Sequence, residues 1–230
     1  MASSDEVSRL IRVYREYEQR DSWSDLNAGN RTILEERRRV LGRILAEHGL
    51  LPLADRRILD VGCGQGQVLA SLMAYGAAPG NLFGLDLLPQ RIEIAKQRFP
   101  EIHFRQGNAE CLAFVDGFFD LVLLFTVFSS ILDAQMALNV SQEVRRILKP
   151  GGAVLWYDFR YNNPNNPNVR GVSRKAVATL FPDFSLHLDT ITLLPPLARH
   201  LGRATSWLYP VLSALPVLRT HYMGLLIKPK

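Results

Sequence analysis

The sequence predicts an α/β fold built on a parallel sheet wound by right-handed crossovers, and three observations carry that prediction. An apolar run, Arg57-Ile58-Leu59-Asp60-Val61, breaks into glycines at 62, 64 and 66 before helical periodicity resumes at Val68. A second apolar run, Leu82-Phe83-Gly84-Leu85, ends in Asp86, again at a strand tip. Between and beyond them, strand-like and helix-like segments alternate with short turns, which places successive strands side by side and parallel.

The elements follow in order. Residues 6–20 carry apolar positions at Val7, Leu10, Ile11, Tyr14 and Tyr17, the spacing of an amphipathic helix. Residues 21–30 read as a polar loop holding Trp23, and residues 32–48 as a second amphipathic helix closed by Gly49. Strands are expected over 57–61, 81–87, 103–106, 120–125 and 153–159. The run Tyr161-Asn162-Asn163-Pro164-Asn165-Asn166-Pro167-Asn168 excludes helix and central strand. A short helix over 173–180, a sixth strand over 184–194 and a last strand over 221–227 follow. Residues 195–218 are apolar and helical in character, interrupted by Pro210 and Pro216.

The strand–glycine turn–helix over 57–69 has a chemical meaning. Glycine tolerates positive φ and lets the backbone approach a ligand, and the helix that follows offers unpaired N–H groups. An acid at the next strand tip can accept both hydroxyls of a ribose, so a nucleoside-bearing cofactor is expected. A dinucleotide would set its pyrophosphate at the helix N-terminus. Asp60, two residues before the first glycine, would repel a pyrophosphate, whereas it suits a loop facing an amino-acid ammonium group.

This pattern resembles motif I of the class I S-adenosyl-L-methionine (SAM) methyltransferases, and the likeness continues downstream. Asp86-Leu87-Leu88-Pro89 is similar to that family's acidic strand end and helix start, and Gln106-Gly107-Asn108-Ala109-Glu110 to its adenine-side motif. Phe119-Asp120-Leu121-Val122-Leu123-Leu124-Phe125 resembles the fourth strand, and the run from Glu143 to Gly152 the helix and turn before the fifth. The resemblance implies a Rossmann-like, mixed seven-stranded sheet with an antiparallel last strand and helices on both faces. It divides the chain into an N-terminal helical lid, 1–50, and a SAM-binding methyltransferase domain, 51–230, with an apolar helical insertion at 193–218. It assigns cofactor contacts to Asp60, Gly62, Cys63, Gly64, Gly66, Asp86, Leu87, Asn108, Ala109 and Phe125, with S-adenosyl-L-homocysteine as product. Where many relatives have Asp, Asn108 keeps a carbonyl able to accept from the adenine amino group.

The acceptor is expected to be a small molecule, methylated on a hydroxyl: a sugar, a lipid or a natural-product intermediate. Methylation on C or N, an RNA or protein acceptor, and a SAM-binding module without transferase activity are the alternatives. Methyl transfer needs in-line approach more than a dedicated catalyst, but a hydroxyl must lose a proton. Many relatives carry paired His just after the fourth strand; this chain has Ser129-Ser130 there. If the last strand inserts antiparallel beside the fifth, His221 comes near Tyr157, Asp158, Arg160 and Tyr161. A His221–Asp158 base pair is therefore expected, with Arg160, Tyr161, Asn162, Tyr14 and Ser129 contacting the acceptor. Tyr17 and Trp23 are further candidates for the cofactor mouth. The remaining histidines have no Cys or carboxylate at metal-ligand spacing, so no metal is expected.

Composition bounds the rest. Two cysteines, Cys63 and Cys111, give no disulfide scaffold. The N-terminus opens with acids and lacks an apolar signal core, and the longest apolar run, 121–132, is too short to span a bilayer; a cytoplasmic protein is expected. Net charge is +5, concentrated in residues 151–230, which lack the basic clusters with interleaved aromatics of an RNA reader. Nucleic acid is not an expected partner. The apolar, arginine-bearing segment 193–218 suits a peripheral membrane contact, or simply a cover for the sheet.

Overall fold

The computed structural model describes residues 2–18 and 26–230; Trp23 and the first half of the expected 21–30 loop lie outside the described residues. Helices α1 (Ala2–Glu18) and α2 (Ala28–Glu47) precede β1 (Ile58–Val61). The core then runs through α3 (Gln67–Ser71), β2 (Leu82–Asp86), α4 (Pro89–Arg98), β3 (His103–Gln106), β4 (Phe119–Phe125), α5 (Ala134–Ile147) and β5 (Leu148–Phe159). It ends with α6 (Arg174–Leu180), β6 (Ser185–Leu193), α7 (Pro195–His200), α8 (Thr205–Ser213) and β7 (Arg219–Ile227).

Local chemistry sets the helix ends. Asn27 caps α2, its side chain accepting from the N–H groups of Gly29 and Asn30 at 2.9 and 3.2 Å. The helix therefore starts earlier than its apolar periodicity alone indicated. Asp133 caps α5 through the Met136 N–H at 2.7 Å, and Pro89 opens α4, where no donor is needed.

The sheet has seven strands in the order β3-β2-β1-β4-β5-β7-β6. Neighbours from β3 through β5 are parallel, while β7 is antiparallel to both β5 and β6. β4 and β1 lie centrally, and Leu121, Val122, Leu123 and Leu124 are fully buried, which explains why β4 is an unbroken apolar run. One face packs against α2, α3 and α4 through Leu41, Ile44, Leu69 and Ile92. The other packs against α5 and α6 through Val140, Val144, Ile147 and Val177.

Two expectations need correcting here. The N-terminal helices were expected to lie together across the cofactor mouth, but α2 belongs to the core layer and only α1 crosses the ends of the central strands. The apolar stretch after β6 is interrupted at Pro216 as expected but not at Pro210, which lies inside α8; prolines at 195 and 216 and a glycine at 202 divide it into α7, α8 and two single 3₁₀ turns. Its two ends meet, since Leu193 pairs with Arg219 and the Leu194 N–H donates to the Leu218 carbonyl at 2.9 Å. The segment is thus a long excursion between two antiparallel neighbours.

Candidate active site

The site lies where the parallel strands end. After β1 the chain turns through Gly62, Gly64 and Gly66 at φ of 74°, 54° and 83°, a region other residues enter only at a cost. A Cβ on Gly66 would also stand 2.6 Å from the Phe104 ring. The N–H groups of Gly62 and Cys63 both donate to the Leu85 carbonyl, at 2.7 and 3.0 Å, which ties the turn to β2. Asp86 organises the next layer. Its Oδ2 accepts from Gly64 N–H and its Oδ1 from Leu88 N–H, each at 2.9 Å. The buried carboxylate thus holds the glycine turn and the entry to α4 together, and each oxygen retains a lone pair.

A cavity opens beside these groups. Gly62, Asp86, Leu87, Asn108, Ala109 and Phe125 line one side, and Val127, Ile131, Met136 and Val140 form an apolar wall. α1 covers it with Leu10, Ile11 and Tyr14. That cover is fastened. Tyr14 Oη shares a hydrogen bond with Ser130 Oγ at 2.6 Å, and the Arg91 guanidinium lies 4.8 Å from the Tyr14 ring centre. Glu6 accepts the Leu132 N–H at 2.6 Å and pairs with Arg9 at 2.7 Å, and Arg9 donates to the Ser130 carbonyl. The Arg9 hydrogen bond, more than the burial that opposes it, holds Glu6 below the usual carboxylate range. At the end of β4, Thr126 takes φ of 56°, held by its N–H to the Tyr157 carbonyl at 2.7 Å, a strained conformation of the kind that clusters at functional sites.

Charge in the site is arranged by burial. Asp60 is pushed up to about 8, first by desolvation and then by Asp86, with Arg37 opposing. The Arg37 guanidinium lies 5.6 Å from the Phe125 ring centre and 5.4 Å from that of Tyr157. An acid and a cation of α2 therefore stand beside the glycine turn.

The comparisons agree with this geometry. A family model described as a methyltransferase domain matches residues 58–152, the span that contains the glycine turn, Asp86 and the cavity wall. The matched span is a methyltransferase domain, and the fold around it is that of the class I SAM-dependent methyltransferases. The demethylmenaquinone methyltransferase of Lactococcus lactis is 38% identical over 103 residues, covering 43% of this chain and 40% of that protein. The ubiquinone biosynthesis O-methyltransferase of Paracidovorax citrulli is 34% identical over 62% of this chain and 58% of its own length. The chain spans about half the length of the curated relatives it matches. Among solved structures, the PH0226 protein of Pyrococcus horikoshii superposes with a TM-score of 0.63 at 19% identity, covering 94% of this chain and 99% of that one. The [4+2]-cyclase SpnF superposes at 0.60 and 18% identity, covering 84% and 81%. These two likenesses establish the fold alone.

Of the expected cofactor residues, Gly62, Asp86, Leu87, Asn108, Ala109 and Phe125 line the cavity, whereas Asp60 does not. Gly64 acts through its N–H to Asp86, and Gly66 stands at the start of α3. The Cys63 side chain points away, since its Sγ lies 2.9 Å from where a Cβ on Gly84 would stand, and burial pushes its thiol up. Asn108 uses its Oδ1 for the Glu110 N–H at 3.0 Å, leaving one lone pair for another donor.

The acceptor side departs further from expectation. His221 and Asp158 do not meet. His221 is paired in register with Phe159, and Asp158 with Tyr222, so strand alternation sends the two side chains to opposite faces of the sheet. His221 stacks on Tyr157 at 4.6 Å and bonds Thr220 Oγ1 at 2.9 Å; burial, aided by Arg37, drops its pKa to about 3. Asp158 instead accepts the Ser129 N–H at 3.0 Å, and burial raises it to about 6. Ser129 is fully buried; its neighbour Ser130 lines the cavity. Arg160 lies over Tyr161 and Tyr222, Tyr161 is exposed, and Asn162 accepts the Gly171 N–H to hold its own loop. None of these three lines the cavity. Tyr14 does, whereas Tyr17 bonds Asn166 instead. No local pattern pointed to Leu10, Ile11, Arg37 or Arg91: on a helix wheel the first two are indistinguishable from core positions, and the arginines from surface charge.

Proposed function

We propose that the protein binds SAM in this cavity and transfers its methyl group to a hydroxyl of a small-molecule acceptor. The observation that carries the reading is the Asp86 carboxylate, buried at a strand end, bonded to the glycine turn, and facing a cavity with one polar and one apolar side. Its remaining lone pairs suit the ribose hydroxyls. Asn108 and Ala109 would meet the adenine edge, with the apolar wall against its face. Neither Asp60 nor Arg37 lines the cavity, so the two would act on a zwitterionic amino-acid group from beside the glycine turn, Asp60 once the ligand's ammonium has ionised it. When bound, SAM supplies an electrophilic methyl on a sulfonium. The chain's part is to orient the two partners and exclude water, with Phe125, Thr126 and the α1 cover closing the site. The O-methyltransferase among the relatives supports oxygen as the acceptor atom.

Calorimetry tests the first half: SAM and S-adenosyl-L-homocysteine should bind with about 8 kcal/mol, a micromolar affinity, and NAD should not. Tighter binding of NAD would overturn the reading. Methyl-tritiated SAM incubated with the protein and pooled small metabolites tests the second half. Label should appear in a fraction that releases methanol or methyl iodide on ether cleavage. SAM binding without any transferred label would reduce the protein to a binding module, a use of the fold outside methyl transfer.

A further inference from the structure

The excursion between β6 and β7 exposes a surface that the cofactor site does not use. α8 is two-faced: Thr205 and Tyr209 are buried, Tyr209 donating to Glu36 at 2.8 Å, while Trp207 and Val211, one helical turn apart, are 63% and 64% exposed. The stripe continues past the helix through Leu215 at 52% and Val217 at 71%, and no charged residue occurs from Ala204 to Leu218. Large apolar side chains gathered this way mark an interaction surface.

Its border is cationic. Arg203 stands exposed before α8, Arg160 donates to the Pro216 carbonyl at 3.2 Å, and Arg219 donates to the Ser213 carbonyl. The chain holds no Asp or Glu after Asp189. Two copies meeting through this stripe would bring like charges together, whereas an apolar strip with Trp, edged by arginine, complements the acyl–headgroup boundary of an anionic bilayer. Its position is also specific. β7 runs antiparallel to β5 and begins where β5 ends, so the excursion rises from the sheet edge that bears the glycine turn.

We propose that the outer face of α8 and the turn after it dock onto an anionic lipid bilayer, holding the ligand-bearing edge of the sheet toward the membrane. The inference does not depend on the cofactor assignment. It is tested by sedimenting the full chain with phosphatidylcholine vesicles, with and without phosphatidylglycerol, at low and physiological ionic strength. Partition into the mixed vesicles at low salt is expected, weakening as salt screens the border. Replacing Trp207→Ser and Val211→Ser together should lower it at least about tenfold with circular dichroism and Tm retained. Protein left in the supernatant at low salt, or equal partition of wild type and double variant, overturns the proposal. So does a dimer in sedimentation velocity that the double variant dissociates, because the stripe would then cover a second copy. Calorimetry with SAM reports separately, so loss of cofactor binding with vesicle binding intact would strike only the function above.

Discussion

At the scale of single residues, Asp60 and Asp86 divide the work of one site by environment. Asp86 is surrounded by donors; Asp60 is buried with an acid beside it and stands at about 8. In the unfolded chain such a carboxyl titrates at about 3.9. Its raised value means that its favourable contribution is complete below pH of about 3.9 and is lost as pH rises through about 8. Asp60→Asn should therefore match the wild-type Tm only below pH of about 3.9 and exceed it increasingly as pH rises toward about 8, each kcal/mol appearing as about 2–4 °C. An ammonium set beside Asp60 would lower its pKa, so SAM binding near neutrality should release protons and tighten as pH rises toward 8. Heats of binding in buffers of different ionisation enthalpy measure this, and buffer-independent heats would move Asp60 out of the amino-acid end. Asp86→Ala removes an acceptor whose charged hydrogen bonds contribute about 1.5–3 kcal/mol. SAM affinity should fall about ten- to a hundred-fold while circular dichroism is retained; an unchanged Kd would mean the ribose lies elsewhere.

At the scale of elements, α1 and β7 show how position turns ordinary residues into functional ones. α1 is fastened by a short set of bonds, Glu6 to Leu132 N–H, Arg9 to the Ser130 carbonyl and Tyr14 to Ser130, at the mouth of the cavity. A cover held by few contacts opens more readily than the core. Glu6→Ala removes the charged acceptor and leaves Arg9 only the Ser130 carbonyl, a loss of about 1.5–3 kcal/mol. Bound S-adenosyl-L-homocysteine should then dissociate at least about tenfold faster, read by stopped-flow displacement, with Tm changed far less. An unchanged rate would show that α1 does not gate the site. β7 supplies the opposite lesson. Its antiparallel insertion was expected and is found, and it does bring His221 to the strand ends, but the pleat directs the imidazole away from Asp158.

At the scale of the whole molecule, burial of His221 gives the fold an acid limit. Its pKa falls from about 6.5 in the unfolded chain to about 3, so the stability it contributes is present above the first value and lost as pH falls toward the second. His221→Phe keeps a ring against Tyr157 and cannot charge. Its Tm should gain on wild type as pH falls from about 7 to about 4, and its turnover should stay within about threefold of wild type. A fall of about 10²–10⁴ in turnover would restore His221 as a general base. The alternation of strand and helix, the glycine turn, the acidic strand tip and the order of the motifs were legible in the chain, because each is fixed by neighbours a few residues away. Local periodicity also marked α1, α8 and β7 as apolar or amphipathic segments. It could not say which face each would bury, since a helix wheel is the same whether its stripe meets the core, a cofactor or lipid. Nor could it say whether His221 and Asp158 would meet, because register between strands far apart in sequence decides to which side of the sheet each side chain points. By itself, then, the sequence determined the sheet, the methyltransferase-domain motifs and the glycine turn. Only the tertiary structure decided that α1 is the cover, that Ser130 rather than Ser129 faces the cavity, and that Trp207 is left on the surface. Those outcomes depend on packing between distant segments, which no local pattern encodes.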